Sequence, residues 1–470
     1  MINAYFELQI KENFRLQPTL EQEKALKNLS EYLFSGKEKD VFLLKGYAGT
    51  GKTSLIGALV KALVQLKQPV ILLAPTGRAA KVFSQYAEHP AYTIHRRIYK
   101  EKSVNDISSA FTLNYNRFKH TVFIVDEASM IGNEGFSGSV FGSGRLLDDL
   151  IEYIYSGDGN RLIFLGDVAQ LPPVGENFSP ALSISTLVNL GLNVVSAELT
   201  QVVRQSKDSG ILYNATLIRD MLRNGNEEFP KIKIQGFEDV SPLPSYELIE
   251  SITSSYSKVG IEETMVICRS NKRANIYNNG IRNMVLGRED ELSSGDRIMI
   301  AKNNYYWTEG IKDIDFIANG DIAFVRKVRN SRELYGFRFA DVTLEFPDYD
   351  NYELEVTVLL DTLQSEAPSL TKEQQELLYN KILEDYLDEP KKEIIKKLRT
   401  NEYFNALQIK YAYAVTCHKS QGGQWAHIYL DQGYISEETK TTDYYHWLYT
   451  AITRATEKLY LVNWPVNLLA

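Results

Sequence analysis

A glycine-rich segment near the start of the chain constrains the fold more than any other feature. Residues 46–53 read GYAGTGKT, which matches the phosphate-binding P-loop pattern, and they lie between the apolar run 41–44 and a predicted helix that begins at Lys52. Glycines allow backbone N–H groups to converge on phosphate oxygens, and the helix N-terminus adds a favourable dipole. A glycine-rich turn without a ligand is the weaker interpretation, because the complete pattern has the strand-to-helix context that phosphate binding requires.

Short apolar runs alternate with helical periods along much of the chain. Strands are predicted at 41–44, 70–73, 122–125 and 162–165 and, more weakly, at 265–268 and 411–415. Such alternation is typical of parallel sheets, which bind ligands at the carboxyl ends of their strands. Because 470 residues are too many for one hydrophobic core, the sequence predicts an α/β fold with two parallel-sheet domains in tandem.

Two stretches interrupt this alternation. Residues 96–119 are polar and aromatic without a helical period, which predicts an inserted hairpin or loop. Between 295 and 400, apolar runs at 297–301 and 321–325 lie beside turn signals, and a charged helical segment follows at 372–399. The second stretch therefore predicts a small β-module, with a helical elaboration, inserted in the second domain.

Charged side chains follow the predicted strands at the edge where a nucleotide would bind. Lys52 is expected to reach the β and γ phosphates, and the Thr53 hydroxyl to ligate Mg²⁺. Asp126 can hold the magnesium shell while Glu127 orients or deprotonates a water. Alone, such an acidic pair would more often be an exposed turn or a helix cap, but the P-loop upstream reverses this preference. The pair favours ATP hydrolysis over transfer to a substrate.

Two glutamines are further candidates. Gln170 follows the strand at 162–165 at sensing distance from a γ-phosphate, although it could also be a solvated residue of a proline-terminated turn. Gln22, in the sequence TLEQ at 19–22, fits a capping box that only satisfies the start of a helix, so the residues alone leave its role open. The predicted nucleotide-binding segment comprises Gly46, Ala48, Gly49, Thr50, Gly51, Lys52, Thr53 and Ser54.

Net charge argues against a protein that coats nucleic acid. The chain carries 52 Lys and Arg against 60 Asp and Glu, a net charge of -8. Basic residues are nevertheless concentrated locally: eight against three acidic ones at 76–120, interleaved with aromatic residues, and four against none at 269–283. This pattern suits a single strand, which needs cations and flat rings, although several of these residues are equally compatible with solvated helix faces and core aromatics.

Cysteine content and the N-terminal sequence bear on location. Cys268 and Cys417 are far apart in sequence, so neither a disulfide framework nor a zinc site is expected. No leader-like segment and no long apolar run is present in the sequence given. We expect a protein of the reducing cytoplasm that has no membrane partner.

Nine segments in a fixed order resemble superfamily 1 helicases of the RecD-like, 5′-to-3′ group, superfamily 1B, and the organisation is similar to that of Dda-type helicases. The segments are TLEQ at 19–22, GYAGTGKT at 46–53, APTGRAA at 74–80, TIH at 93–95, VDEAS at 125–129, GDVAQLPPV at 166–174, LTQVVRQ at 199–205, TCHKSQG at 416–422 and YTAITRA at 449–455.

The resemblance implies two RecA-like motor domains that hydrolyse ATP with Mg²⁺ and translocate 5′ to 3′ on single-stranded DNA as a monomer, opening duplex at a junction. It implies that Gln22 recognises adenine and that Gln170 couples the γ-phosphate to the domain interface. Arg204 and Arg454 would reach the γ-phosphate from the second domain or its border. Gly422 would belong to the loop that closes on ATP.

The resemblance also implies DNA contacts and domain limits. Residues at strand-contact motifs are Pro75, Thr76, Thr93, His95, Thr416, His418 and Lys419. The insertion after His95 would be a strand-separating pin, with Phe111 at its tip. The implied limits are 1–95 and 120–200 for the first motor domain, 96–119 for the pin, 201–294 and 401–470 for the second motor domain, and 295–400 for the β-module.

Two other functions share part of this pattern. A translocase or protein-displacing motor that does not separate strands would use the same nucleotide chemistry without a pin. An ATP-gated binding module or a P-loop kinase would leave the second, arginine-bearing domain unexplained.

Overall fold

The computed structural model describes residues 2–14, 17–35, 39–101, 111–135, 141–203, 209–226, 228–311, 314, 316–386 and 390–470. These residues form two parallel sheets, a closed β-barrel and a two-stranded hairpin. Across these ranges, every helix is too short or too polar to cross a membrane. The predicted fold class is confirmed: two tandem RecA-like α/β domains with an inserted hairpin and an inserted small barrel.

The first sheet has six parallel strands in the order β3-β2-β6-β7-β1-β8. Its part of the chain comprises α1 (Ile2–Asn13), α2 (Leu20–Leu33), β1 (Asp40–Gly46), α3 (Lys52–Gln65), β2 (Val70–Ala74), α4 (Gly77–Ala87), β3 (Ala91–Thr93), α5 (Ile94–Ile98), β4 (Tyr99–Glu101), β5 (Phe111–Leu113), β6 (Val122–Val125), α6 (Leu146–Tyr155), β7 (Arg161–Gly166), α7 (Ile184–Asn189) and β8 (Asn193–Leu199).

The second sheet has five parallel strands in the order β16-β10-β17-β18-β9, and the barrel closes in the order β11-β12-β13-β14-β15. This part comprises α8 (Gly210–Asn224), β9 (Val240–Leu243), α9 (Leu248–Lys258), β10 (Thr264–Cys268), α10 (Asn271–Gly280), β11 (Arg297–Ile300), β12 (Ile322–Leu334), β13 (Phe337–Phe346), β14 (Tyr352–Leu359), α11 (Lys372–Leu383), α12 (Lys391–Arg399), β15 (Leu407–Tyr411), β16 (Ala414–Thr416), α13 (Cys417–Ser420), β17 (Trp425–Asp431), α14 (Thr442–Ile452) and β18 (Ala455–Val462).

Each parallel sheet is covered on both faces, which explains why its strands are almost continuously apolar. In the first sheet, alternate side chains of β1 divide between two buried clusters: Val41 and Leu43 face the cluster that includes α6, whereas Phe42 and Leu44 face the cluster that includes α2 and α3. A sheet buried in this way holds the ends of its strands rigidly. The loops that follow β1, β6 and β7 therefore start from fixed positions at one edge of the sheet.

The barrel and the second sheet are continuous along the chain, and here one strand prediction is wrong. The apolar run 411–415 was expected to form one strand, but Tyr411 ends β15 of the barrel and Ala414 begins β16 of the second sheet. Only two residues separate the two strands, and backbone pairing with different partners splits the run: Tyr411 pairs with Ile298, whereas Ala414 pairs with Val266.

Candidate active site

The P-loop has the backbone conformation that its sequence predicts. Gly49 and Gly51 have φ angles of 77° and 80°, in the left-handed region that glycine adopts without strain. The Lys52 ammonium donates hydrogen bonds to the carbonyl oxygens of Gly46 and Tyr47, the latter at 2.9 Å. The lysine therefore folds back over its own loop, within the segment that would surround a phosphate.

Both the Oε1 and the Nε2 atom of Gln22 form hydrogen bonds within the protein. Its Oε1 accepts from the Thr19 N–H at 2.9 Å, and Thr19 Oγ1 accepts from the Gln22 N–H, so the capping box is formed. Its Nε2 donates to the Thr50 carbonyl oxygen at 3.0 Å, and a Cβ at Gly51 would collide with this nitrogen. Gln22 thus caps α2 and braces the P-loop, while adenine recognition stays a prediction.

Three carboxylates at this site lie at least partly away from solvent: Asp167 is buried, and Asp126 and Glu127 are partly buried. Burial raises the pKa of Asp126, of Glu127 and of Asp167, whereas the positive charge of Lys52 lowers all three pKa values. Arg454, from the second domain, lowers the pKa of Glu127 and Asp167 in the same way. Buried carboxylates need such cations to stay ionised, so the site depends on charges from both domains.

Tyr86 holds one of these acids. Its hydroxyl donates to Asp126 Oδ2, while the other oxygen, Oδ1, accepts from the Glu127 N–H at 2.8 Å. Tyr86 lies in the last turns of α4, the helix that Thr76 caps. The Asp126 carboxylate is therefore oriented by a helix that begins at a predicted strand-contact motif.

Asp126 and Thr53 fit a magnesium ion. Both supply oxygen atoms, the ligands that Mg²⁺ prefers, from the edge of the sheet where β6 and α3 meet the P-loop. Thr53 and its neighbour Ser54 are exposed on the first turn of α3, so the Thr53 hydroxyl is accessible. Magnesium binding itself remains a prediction.

Tyr449 joins the two motor domains at the P-loop. Its hydroxyl accepts from the Ala48 N–H at 2.8 Å and donates to Asp167 Oδ2 at 2.6 Å. The residue is 1% exposed and lies in α14 of the second domain. The tyrosine hydroxyl therefore contacts the phosphate-binding loop and an acidic side chain at the end of β7 simultaneously.

The segment that contains Gln170 forms a second bridge. The Leu171 N–H donates to Thr450 Oγ1 at 2.8 Å, and Gln421 Nε2 donates to the Leu171 carbonyl oxygen at 2.8 Å. The Gln170 side chain is 7% exposed, and its buried Oε1 has no hydrogen-bond partner among the described residues. This amide lies beside the domain boundary, and its coupling role stays a prediction.

Of the two predicted γ-phosphate arginines, one can be placed. Arg454 is 3% exposed and donates to the carbonyl oxygens of Thr450 and Gly423, each at 3.1 Å, and to Thr453 Oγ1 at 3.3 Å. Three of its five N–H donors are thus used within its own domain. Arg204 lies outside the described residues.

In the first domain, the residues predicted to contact DNA act as helix caps or pack within the protein. Thr76 Oγ1 accepts from the Ala79 N–H and Thr93 Oγ1 from the Arg96 N–H, both at 3.2 Å, and Pro75 is partly exposed beside the first cap. Burial lowers the pKa of His95 to about 4, so its ring is neutral at physiological pH. Their role in DNA binding stays a prediction.

On the second domain, the predicted contacts lie beside those of the first. Thr76, His418 and Lys419 line one cavity of about 140 Å³, which residues of the barrel also line. Thr416 is partly exposed next to it, and the Lys419 ammonium donates to Asn319 Oδ1 in the loop before β12. The two motor domains and the barrel thus meet at this cavity.

Gly422 is predicted to belong to the loop that closes on ATP. In this structure it lies against the first motor domain, at the start of α4. A Cβ at this position, which has a φ angle of 74°, would lie 3.0 Å from both Thr76 Oγ1 and Ala79 Cβ. Its immediate neighbours therefore belong to α4 and its cap. The predicted role in closing on ATP stays a prediction.

The prediction that Phe111 forms the exposed tip of the pin is wrong. Phe111 opens β5, is 9% exposed, and has ring centroids of Phe141 at 5.0 Å and Tyr305 at 4.3 Å. Burial of so large an apolar ring against other aromatics is more favourable than exposure to water. Phe111 pairs with Glu101 in the last pair of the β4–β5 hairpin before the connecting residues 102–110, which are outside the described part of the chain.

Three residues of this site were not selected from sequence. Asp167 and Tyr449 lie inside quoted motifs, where position alone did not reveal that they bond to each other. Tyr86 has no sequence signal, because its partner Asp126 is 40 residues away and on a different element.

The fold and site define a class: a P-loop nucleotide-binding protein in which two RecA-like domains share one cleft. Comparison with known proteins gives the family. Residues 19–229 match the model of an AAA domain, and residues 411–462 match that of a UvrD-like helicase C-terminal domain. Together with the helicase relatives described next, these matches support the resemblance to superfamily 1B helicases.

Two curated relatives are helicases. The ATP-dependent RecD2 DNA helicase of Deinococcus radiodurans is 23% identical over 93% of this chain and 49% of its own length. The ATP-dependent DNA helicase Dda of Enterobacteria phage T4 is 25% identical over 56% of this chain and 57% of its own length. The chain thus spans about half the length of each.

A solved structure of similar extent is Pif1 helicase from Bacteroides in complex with ADP-AlF3 and single-stranded DNA. It covers 96% of this chain and 93% of its own at 16% identity, with a TM-score of 0.48.

Proposed function

We propose that the chain is an ATP-dependent DNA helicase that translocates 5′ to 3′ on single-stranded DNA and separates the duplex ahead of it. The observation that carries the proposal is that Tyr449 of one domain bonds to the P-loop and to Asp167 of the other, while the charge of Arg454 acts on Glu127 and Asp167 across the cleft. A nucleotide bound in this cleft contacts both domains, so its binding and hydrolysis change how the domains meet.

The chain's own residues account for hydrolysis. Lys52 turns from the carbonyl oxygens of its loop to the β and γ phosphates, and Arg454 stabilises charge on the γ-phosphate in the transition state. Glu127 orients a water and accepts its proton, and its raised pKa makes it a stronger base. Thr53 and Asp126 would hold a magnesium ion, which would supply positive charge to offset that of the phosphates.

The same residues connect hydrolysis to movement. The Tyr449 hydroxyl contacts both Ala48 and Asp167, so a phosphate that rearranges the P-loop must also displace α14. On the opposite side, Thr76 and Lys419 come from different motor domains and line one cavity. Opening and closing of the cleft therefore changes the spacing of the two groups that are to hold the strand.

Direction and strand separation are supported by family and by the hairpin. The segment 170–174 reads QLPPV and lacks the stacking aromatic found there in helicases of opposite polarity. The β4–β5 hairpin packs through Phe111 on Tyr305, in the segment between β11 and β12, so the hairpin has a rigid support. Base-pair stacking of about 1.4 kcal/mol per step is the load that such a wedge has to overcome.

Lys52→Ala tests the nucleotide site. We expect loss of DNA-stimulated ATP hydrolysis with unchanged folding, and full activity in this variant would refute the assignment. Unwinding of duplexes with a 5′ or a 3′ single-stranded tail tests direction, and activity on 3′ tails alone would refute 5′-to-3′ movement. Displacement of streptavidin from a biotinylated strand without any unwinding would indicate a translocase instead.

A further inference from the structure

A cavity of about 660 Å³ opens on the flank of the barrel and is lined by none of the residues assigned to the nucleotide site. Its walls are the turn after β11, the helix α11 and the segment before β15. The side chains that give it its character are Lys302, Tyr305, Tyr306, Lys372, Tyr379 and Phe404.

Aromatic rings and cations dominate this lining. Tyr379 and Phe404 are each 40% exposed, and their ring centroids lie 6.2 Å apart. Lys302 and Lys372 face a single carboxylate in the lining, Glu376, so the cavity has a net positive charge. Accessible rings beside lysines are the combination that binds unpaired nucleotides, because bases stack on the rings and phosphates pair with the cations.

The position of the cavity indicates which strand would enter it. Tyr305 lines the cavity, and the same ring lies 4.3 Å from Phe111 of the β4–β5 hairpin. One wall of the cavity therefore supports the hairpin. Under the proposed helicase function, a strand separated at the hairpin would emerge beside this wall, whereas the strand predicted to be held by the motor domains would lie at Thr76 and Lys419, in a different cavity.

We propose that this cavity, the flank pocket, binds unpaired bases of the displaced strand. The proposal rests on the proposed helicase function. Capture of that strand as it leaves the hairpin opposes re-pairing behind the moving protein, so the flank pocket favours forward steps.

Binding without ATP tests the flank pocket directly. The probes are a duplex with only a 5′ tail and a fork that has an additional 3′ tail of about ten nucleotides on the other strand, both measured by fluorescence anisotropy. The wild type should bind the fork about tenfold more tightly, the effect expected from stacking one or two bases. Phe404→Ala and Tyr379→Ala should remove this difference, and Leu377→Ala, an exposed position on α11 outside the lining, should retain it.

Cross-linking identifies the strand. A fork with 5-iodouracil in the displaced tail should cross-link to residues in 302–306, 372–380 or 404–408, and the same base in the loading strand should not. Equal affinity of the wild type for the two probes, or cross-links from the loading strand alone, would overturn the proposal.

Activity measurements separate this failure from failure of the helicase assignment. Both alanine variants should keep ATP hydrolysis stimulated by single-stranded DNA and should unwind 5′-tailed duplex at the wild-type rate, but they should lose the faster unwinding of forks. If the wild type unwinds neither substrate, the proposed function is wrong. If the variants unwind forks as well as the wild type does, only the flank pocket is refuted.

Discussion

The nucleotide cleft differs in its construction from the strand side, the surface at Thr76 and Lys419 that is predicted to hold DNA. In the cleft, acidic and basic side chains are partly or fully buried, and the positive charges of Lys52 and Arg454 offset the burial of Glu127 and Asp167. On the strand side, the predicted contact residues are helix caps or bond to the barrel, as Lys419 does to Asn319. The cleft is thus organised without a ligand, whereas DNA binding on the strand side would require protein contacts to be exchanged for DNA contacts.

Replacing the guanidinium of Arg454 in the cleft should have the largest effect. Arg454→Lys keeps a positive charge but loses the guanidinium that bonds to Thr450 and Gly423 and still has donors for a phosphate. We expect the rate of DNA-stimulated ATP hydrolysis to fall by about 10³-fold with nucleotide affinity much less affected. Arg326→Lys, an exposed arginine of the barrel, is the matched control. A loss below tenfold would show that Arg454 does not act on the transition state.

Tyr86→Phe tests the link between the nucleotide cleft and the strand side, because Tyr86 bonds to Asp126 and lies on α4, the helix that Thr76 caps. The variant removes one hydroxyl and frees Asp126 to rotate, so the Mg²⁺ concentration for half-maximal binding of a fluorescent ATP analogue should rise about 10- to 100-fold. Tyr5→Phe, an exposed tyrosine of α1, should behave like the wild type. An unchanged Mg²⁺ requirement would mean that Asp126 needs no support from α4.

Lys419 offers a pH-dependent test of the strand side. Burial lowers the pKa of Lys419 to about 8, so its charge is present at pH 7 and largely lost at pH 9. We expect the affinity for single-stranded DNA to fall several-fold over this range in the wild type, and Lys419→Met to bind weakly at both pH values, with a salt dependence reduced by about one charge. Lys258→Met, exposed at the end of α9, should keep the pH dependence; its loss there too would exclude Lys419 as the cause.

The smallest effect concerns the barrel loop that covers α4. Burial raises the pKa of Asp321 from 3.8 to about 7, and its carboxylate accepts hydrogen bonds from Tyr349 and the Ala318 N–H. The folded protein therefore holds a proton that the unfolded chain releases, so stability from this group is complete below about pH 4 and is lost as pH rises through 7.

Asp321→Asn keeps an acceptor for both hydrogen bonds without a titrating charge. The melting temperature of the variant should exceed that of the wild type by a few degrees at pH 8 and equal it at pH 4. Glu438→Gln, an exposed position, should change neither value. A variant that is less stable at pH 8 would contradict the assigned burial of the charge.

The features that could be predicted from the sequence are those that depend on local contacts. The P-loop could be predicted because Gly49, Gly51 and Lys52 act through the backbone of one short segment. The place of Phe111 could not, because it depends on packing against Tyr305, almost two hundred residues later. The run 411–415 failed for a similar reason, since its apolar pattern does not reveal that its two ends pair with different sheets.

The short connection between barrel and second sheet has a mechanical consequence. Ala412 and Tyr413 alone separate β15 from β16, and the Tyr413 hydroxyl bonds to Asp296 and to the Arg297 N–H at the start of β11. The start of β11 and the end of β15 are therefore held together at Tyr413, so the barrel moves with the second motor domain as one body. The barrel is then a lever arm, and a domain rotation of a few degrees in the cleft becomes a larger displacement at its far end, where a fluorescent label would report each step.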